Sequence, residues 1–526
     1  MANARHSKRI FLGNVIIWIL LALAALFFVT SRYKKAHFAD AQIDEILFYF
    51  ANGLADGQTS SFVDIASDNI TLWLTLFFLL LIPVIDFYRN RIVIHLDLSF
   101  IGKKKKTQFN PSRIPLKYKF TYATGILLIS LWLLLGSFGV FGYIRSLSLS
   151  GQLYEQHYVD PSRASLIFPE QKRNLVYIYL ESMENTVASQ EHGGQSDISL
   201  IPELEALALD PQNISFSHQT AGLIGGAYPA HGTTWTVAAM TAQSSGIPLN
   251  ASASLVGQEG NNYGNFKQFL PGAYSLGEVL KEEGYNQTFI MGSESAFGGR
   301  DKMLTQHGNY TVKDYSYARE NGIIPEDYHV WWGYEDKKLF DFAKIELQEL
   351  SNSDKPFNLQ ILTADTHFTD GYLDTTCEAP YVDQYDNVYA CSSKQINELV
   401  SWIQSQPFAE NTTIVISGDH LGMQTSYYDE KINATDYQRT IYNVFINPAI
   451  SAINQYDRTF TTLDMYPSTL AAIGVSIEGD RLGLGTNLFS DVPTLAEYYG
   501  SAHALDEELS KRSNFYDHNI LMTLDN

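Results

Sequence analysis

The chain has 526 residues, 45% hydrophobic and 18% charged, a composition that excludes a disordered polymer. Its 57 Asp+Glu outweigh 36 Lys+Arg, for a net charge of −21, which argues against a nucleic-acid binder. Two Cys exclude a disulfide-dense scaffold and a cysteine-rich zinc module. The charge is also uneven. Residues 1–150 hold 16 Lys+Arg against 8 Asp+Glu, a net of +8, whereas residues 151–526 hold 20 against 49, a net of −29. A basic first part joined to an acidic remainder points to two environments.

In chain order, three apolar runs read as membrane helices, near 10–30, 70–87 and 122–143. The first exceeds the core of a signal peptide and two more follow it, so it reads as a retained anchor. Arg89, Arg91, Lys103–Lys106, Arg113, Lys117 and Lys119 face only Asp97 in the loop after the second run, which places that loop in the cytoplasm. Arg5, Lys8 and Arg9 place the N-terminus there too. Three spans then deliver the chain beyond about Arg145 to the outer side, with 146–172 as a linker, 173–500 as an extracytoplasmic domain and 501–526 as a C-terminal tail. In that compartment Cys377 and Cys391, lacking CxxC spacing, read as a disulfide closing a short loop.

From Asn174 onward, β-rich runs alternate with helical ones. NLVYIYL (174–180), NQTFIMG (286–292), FNLQILTA (357–364), TTIVISG (412–418) and YNVFINP (442–448) read as strands, several apolar at consecutive positions as buried parallel strands are. Residues 236–243, 275–284, 338–350 and 393–405 read as helices. The alternation predicts one α/β domain with a mostly parallel sheet and helices on both faces.

Ligands of such sheets collect beyond the carboxyl ends of the strands. Glu181 follows the first strand, Asp365 and His367 the third, Asp419 and His420 the fourth. Carboxylates and imidazoles so placed can converge on a divalent cation. The segment Ala230-His231-Gly232-Thr233-Thr234-Trp235-Thr236 opens a helix, whose free N–H groups and positive dipole end suit a phosphate. Thr233 or Thr234 can equally be a simple N-cap.

These residues fall in runs that resemble a known family. YLESMENT (179–186), HGTTWTVAAMTAQSSGIPL (231–249), NASAS (250–254), TADTHFTDGYL (363–373), ISGDHLGM (416–423) and LGLGTNLFS (482–490) look like the phosphoglycerol transferase I family. That family belongs to the alkaline phosphatase/sulfatase superfamily and is related to lipoteichoic acid synthase. The resemblance covers roughly 172–495, its motifs in the same order. It implies one divalent metal, Mn²⁺ first with Mg²⁺ or Zn²⁺ as alternatives, held by Glu181, Asp419, His420 and the nucleophile Thr233, the threonine directly after Gly232. His367 then serves substrate phosphate or the leaving group, and Arg300 grips phosphate. Lipoteichoic acid synthases carry an aromatic residue two positions before that arginine, where this chain has Gly298. Sulfate-ester hydrolysis is not expected, because no C/S-x-P-x-R segment is present.

The activity implied is transfer of phosphoglycerol from phosphatidylglycerol to a periplasmic glucan, by a multi-pass enzyme of a bacterial inner membrane whose catalytic domain lies in the periplasm. A phosphoethanolamine transferase or a lipoteichoic-acid-synthase-like enzyme acting on another glycan is the nearest alternative. A non-catalytic, glycan-binding membrane scaffold is the more distant one.

Overall fold

The computed structural model describes residues 2–38, 43, 56–85, 94–98, 105–109, 115–250, 268–434 and 436–521. The chain forms two compact units, one of Met1–Ala39 with Asp56–Gly142, the other of Asp40–Ala55 with Tyr143–Asn526.

The first unit contains helices α1 (Ala2–His37), α2 (Asp56–Leu81) and α3 (Leu116–Ser137). Ile17, Leu21, Leu81, Val84 and Ala123 form a small core, while Phe11 and Trp132 are 70% and 63% exposed. An apolar exterior suits hydrocarbon rather than water.

Among the described residues two stretches, Ile10–His37 and Leu116–Ser137, are long and apolar enough to cross a membrane, where three were expected. The apolar helical stretch of the second run, Asn69–Val84, is shorter, a rise of only about 24 Å at 1.5 Å per residue against a hydrocarbon core of about 30 Å. Pro83 sits in the tight turn that ends it. The third run starts earlier than its apolar residues suggest and breaks at Phe138–Gly139, where Gly139 takes φ +69°. Strands Ile94–Leu98 and Lys105–Phe109 pair antiparallel. Lys103 and Lys104 lie outside the described residues, as do most of the loops from which orientation was read.

In the second unit six strands form one sheet. They are β1 (Asn174–Leu180), β2 (Asn286–Met291), β3 (Thr311–Lys313), β4 (Phe357–Leu362), β5 (Thr412–Gly418) and β6 (Asn443–Ile446). Their order is β3-β2-β4-β1-β5-β6, parallel throughout except for the antiparallel edge strand β6. The expected α/β class with a mostly parallel sheet holds. Strands β1, β4 and β5 are buried along their whole length, which is why they read as unbroken apolar runs. Alternate side chains of β1 feed two cores. Leu175, Tyr177 and Tyr179 join Trp235, Met240 and Phe289 on one face; Val176, Ile178 and Leu180 join Leu339, Leu399 and Val400 on the other.

Helices α4 (Thr236–Ser245), α5 (Leu276–Glu282) and α6 (Arg300–Gln306) precede β3, and α7 (Asp336–Ser351) and α8 (Gln384–Gln404) precede β5. Parts of the expected linker and tail carry structure of their own. Leu153 and Tyr154 enter the core, Leu166–Ile167 pairs with Ser476–Ile477, and Leu505, Leu509, Tyr516 and Ile520 are buried with them. Cys377 and Cys391 are joined by a disulfide with Cα atoms 5.7 Å apart, fastening the loop before α8 to that helix.

Candidate active site

The neighbouring strands β4, β1 and β5 end side by side, and their next residues supply the site. Glu181 follows β1, Asp419 and His420 follow β5, and the candidate ligand atoms of these three buried residues all lie within 4.8 Å of one another. His420 Nε2 is 3.5 Å from both Glu181 Oε1 and Asp419 Oδ2. The Leu421 carbonyl, 2.8 Å from Nδ1, takes the proton there and leaves the Nε2 lone pair facing the carboxylates.

Asp419 Oδ1 accepts the N–H groups of Ser182 (2.9 Å) and His420 (2.7 Å), whereas Oδ2 is buried with no hydrogen bond. Burial, with the adjacent Glu181 charge, pushes the Asp419 carboxyl up to about 7. Burial also works against the Glu181 carboxylate, but His420, His367 and the Ser182 hydroxyl hold it below its ordinary value. Two buried carboxylates, one with an orphaned oxygen, and an imidazole lone pair fit one divalent cation.

The threonine beside this cluster is Thr236. Its Oγ1 lies 3.4 Å from Glu181 Oε2 and 3.5 Å from His420 Nε2. It is the first residue of α4, whose N-terminus therefore points at the cluster. Thr233, the residue singled out from the sequence, is fully buried, and its hydroxyl turns back on its own loop. Its Oγ1 donates to the Ala230 carbonyl (2.9 Å) and accepts the Ala230 N–H (3.1 Å). Gln243, about two turns along α4 on the same face as Thr236, pins the helix to the end of β5. Its amide donates to the carbonyls of Gly418 (3.0 Å) and Asp419 (3.2 Å) and accepts the Tyr177 hydroxyl (2.7 Å). A side chain at 418 would meet the Met183 carbonyl at 2.0 Å, so only glycine lets the two loops approach.

His367, on the loop after β4, donates from Nδ1 to the Phe368 carbonyl (2.8 Å). Burial holds its pKa down against the pull of Glu181, and the charge of Arg300 adds to the lowering, so the ring is neutral near pH 7. Arg300 begins α6, is 5% exposed, and donates to Ser293 Oγ (3.2 Å) and to the carbonyls of Phe297 (3.1 Å) and Glu294 (2.8 Å). Much of its guanidinium therefore organises its own loop. Asp365 and Asp336 brace β4 against α7: Asp336 accepts the N–H groups of Ala364 and Asp365 and returns its own to Asp365. Residues 251–254 of the NASAS motif lie outside the described residues.

The Sulfatase family model matches residues 173–475. A phosphoglycerol transferase I of Xanthomonas axonopodis pv. citri (strain 306) is 31% identical over 335 residues, 62% of this chain and 44% of that protein. That of Escherichia coli O127:H6 (strain E2348/69 / EPEC) is 33% identical over 282 residues, 52% of this chain and 34% of that protein. This chain thus spans less than half the length of the curated relatives it matches. The solved lipoteichoic acid synthase LtaP of Listeria monocytogenes has a TM-score of 0.46 at 15% identity, covering 64% of this chain and 81% of that one. With more than half of its residues matched, the chain belongs to the Sulfatase family.

Proposed function

We infer that this chain is a membrane-anchored phosphotransferase that moves phosphoglycerol from phosphatidylglycerol to a glucan hydroxyl on the outer side of a bacterial inner membrane, through a covalent intermediate on Thr236. The observation that carries the reading is the Thr236 hydroxyl, set at the head of a helix and within 3.5 Å of Glu181 and His420. The two apolar helices support an anchor, and the relatives named phosphoglycerol transferase I support the donor and the acceptor class.

A divalent cation held by Glu181, Asp419, His420 and the Thr236 hydroxyl would supply a lowered hydroxyl pKa and a counter-charge for the phosphate oxygens. In the first half-reaction Thr236 Oγ1 forms a bond to phosphorus as the bond to the diacylglycerol oxygen breaks. Neutral His367 takes the hydroxyl proton and returns it to the departing diacylglycerol. The amide end of α4 and the Arg300 charge stabilise the negative oxygens around phosphorus. In the second half-reaction a sugar hydroxyl forms the new bond to phosphorus, the bond to Thr236 breaks, and the proton returns to Thr236 by way of His367.

Phosphatidylglycerol labelled in the headgroup glycerol tests this. Released diacylglycerol and a phosphoglycerol mass gain localised by fragmentation to Thr236 are expected, absent in Thr236→Ala and retained in Thr233→Ala. A label on any other residue overturns the nucleophile assignment. Diacylglycerol formed only from phosphatidylethanolamine in a parallel incubation overturns the headgroup.

A further inference from the structure

The segment between β3 and α7 ends in a tight turn whose role the chemistry above leaves open. Val330 and Gly333 exchange both backbone hydrogen bonds (2.8 and 3.0 Å) across the two residues Trp331 and Trp332. Trp331 is held at φ +56°, a left-handed conformation that a bulky side chain adopts only under strain. Three contacts impose it. The Trp331 indole donates to the Ala364 carbonyl (3.0 Å), three residues before His367. Gly333 bridges to Ser293, which accepts from Arg300. Tyr334 N–H donates to the Gly292 carbonyl (3.0 Å), and a side chain at 333 would meet that same carbonyl at 2.1 Å.

The strained turn delivers the half-buried Trp332 to the rim of the candidate site. Its ring centroid is 4.6 Å from His367 on one side and 5.7 Å from Phe297 on the other. Arg300 lies over that Phe297 ring at 5.6 Å, and His367 stacks on Phe368 at 4.3 Å. The Trp332 indole N–H makes no hydrogen bond to the described residues. A partly open aromatic face with a donor at its edge, touching the histidine that handles the proton, matches the two-sided chemistry of a pyranose. The sugar presents an apolar C–H face to the ring and hydroxyls to the rim.

We propose that Trp332 is the stacking platform for a sugar ring of the acceptor, placing one of its hydroxyls beside His367. The inference rests on the reading of the chain as a transferase to a carbohydrate hydroxyl. It assigns acceptor specificity to the turn before α7 rather than to the strand ends that hold the reacting phosphate. Trp331 is the positioning residue of the pair, since its indole is spent on the backbone.

The full chain in phosphatidylcholine nanodiscs free of phosphatidylglycerol and phosphatidylethanolamine, titrated with a neutral β-linked glucose hexasaccharide, provides the test. The expected result is a saccharide Kd at least tenfold weaker in Trp332→Ala and within about threefold of wild type in Trp332→Phe, with the melting temperatures of both variants within a few degrees of wild type. In turnover with phosphatidylglycerol, Trp332→Ala raises the saccharide KM at least tenfold and lowers kcat less than threefold. Equal saccharide Kd in wild type and Trp332→Ala overturns the proposal, as does an increase in the KM for phosphatidylglycerol alone, which would assign the ring to the lipid. If saccharide binding depends on Trp332 but no diacylglycerol is formed, the platform stands and the transferase reading fails.

Discussion

Glu184 and Arg439 form an ion pair beneath the candidate site, Glu184 fully buried and Arg439 Nε donating to Glu184 Oε1 at 2.9 Å. The pair holds the loop that carries Asp419 and His420. Gly422 N–H donates to Glu184 Oε2 (2.9 Å), and Arg439 donates to the Gly422 carbonyl (2.6 Å) while lying over the Tyr428 ring at 4.1 Å. Removing one partner leaves an uncompensated buried charge, a loss of about 3–5 kcal/mol. Arg439→Met should therefore destabilise the second unit by that order in denaturant unfolding. The double variant Arg439→Met/Glu184→Gln should recover part of the loss, because no charge is then left buried.

The two threonines near the start of α4 separate chemistry from architecture. If the proposed mechanism holds, Thr236→Ala should lower phosphoglycerol transfer at least about a hundredfold, because the attacking oxygen it assigns is gone, with a stability change under about 1 kcal/mol. Thr233→Ala should do the reverse. Its buried hydroxyl closes a ring with Ala230, so losing it leaves the Ala230 N–H without its acceptor and costs about 1–3 kcal/mol. Parallel melting curves and initial rates distinguish the two patterns.

The threonines also mark where sequence reasoning ended. Glu181, Asp419 and His420 were legible because they stand one or two residues past strands buried on both faces, and such strands are unbroken apolar runs that end where the polar residues begin. The start of α4 was legible, the helix read from 236 beginning at Thr236, but the hydroxyl at its head was not, because capping preference favours a threonine at the N-cap, where Trp235 stands. With that indole buried in the core, Thr233 and Thr234 lie before the helix and the hydroxyl at its head belongs to Thr236. Tertiary packing also extended α8, which begins at Gln384 rather than at 393. Asp383 caps it, and Tyr385, Val388 and Tyr389 bury one face, a short amphipathic turn hidden among aspartates. Strand β3 has three residues, too few to show a period, and Glu184 gave no sign of burial because its partner lies 255 positions away.

A pH dependence of stability follows from His307. It is 8% exposed, contacts Glu278 through Nδ1 at 3.0 Å and the Phe269 carbonyl through Nε2 at 2.6 Å, so both ring nitrogens donate when it is charged. Burial disfavours that charge, but Glu278 and the carbonyl more than offset it, and the folded pKa is raised. A raised folded pKa contributes stability in full below the unfolded value of about 6.5, and that contribution fades as pH rises through the folded value. Unfolding free energy should thus lose a component as pH climbs above about 6.5, and His307→Gln should remove that component from the difference curve measured across pH 5.5 to 8.5.

The last expectation concerns the cation and sets stability against function at one residue. Without metal, Asp419 and Glu181 oppose each other in a buried site, and Asp419 resists ionisation, its carboxyl pushed up to about 7 by burial and by that neighbour. An amide at 419 keeps the Oδ1 acceptor for the N–H groups of Ser182 and His420 and removes the repulsion. In chelator, Asp419→Asn should therefore melt at or above the wild-type temperature. Addition of Mn²⁺ should reverse the order. A ligand that binds only the folded state adds about 2.7 kcal/mol at one hundred times its Kd, a gain open to the wild type and closed to the variant. Calorimetric scans of both proteins with and without Mn²⁺ read the crossing directly. If the wild type is the more stable in chelator and Mn²⁺ shifts neither protein, the three residues form a structural ion cluster rather than a metal site.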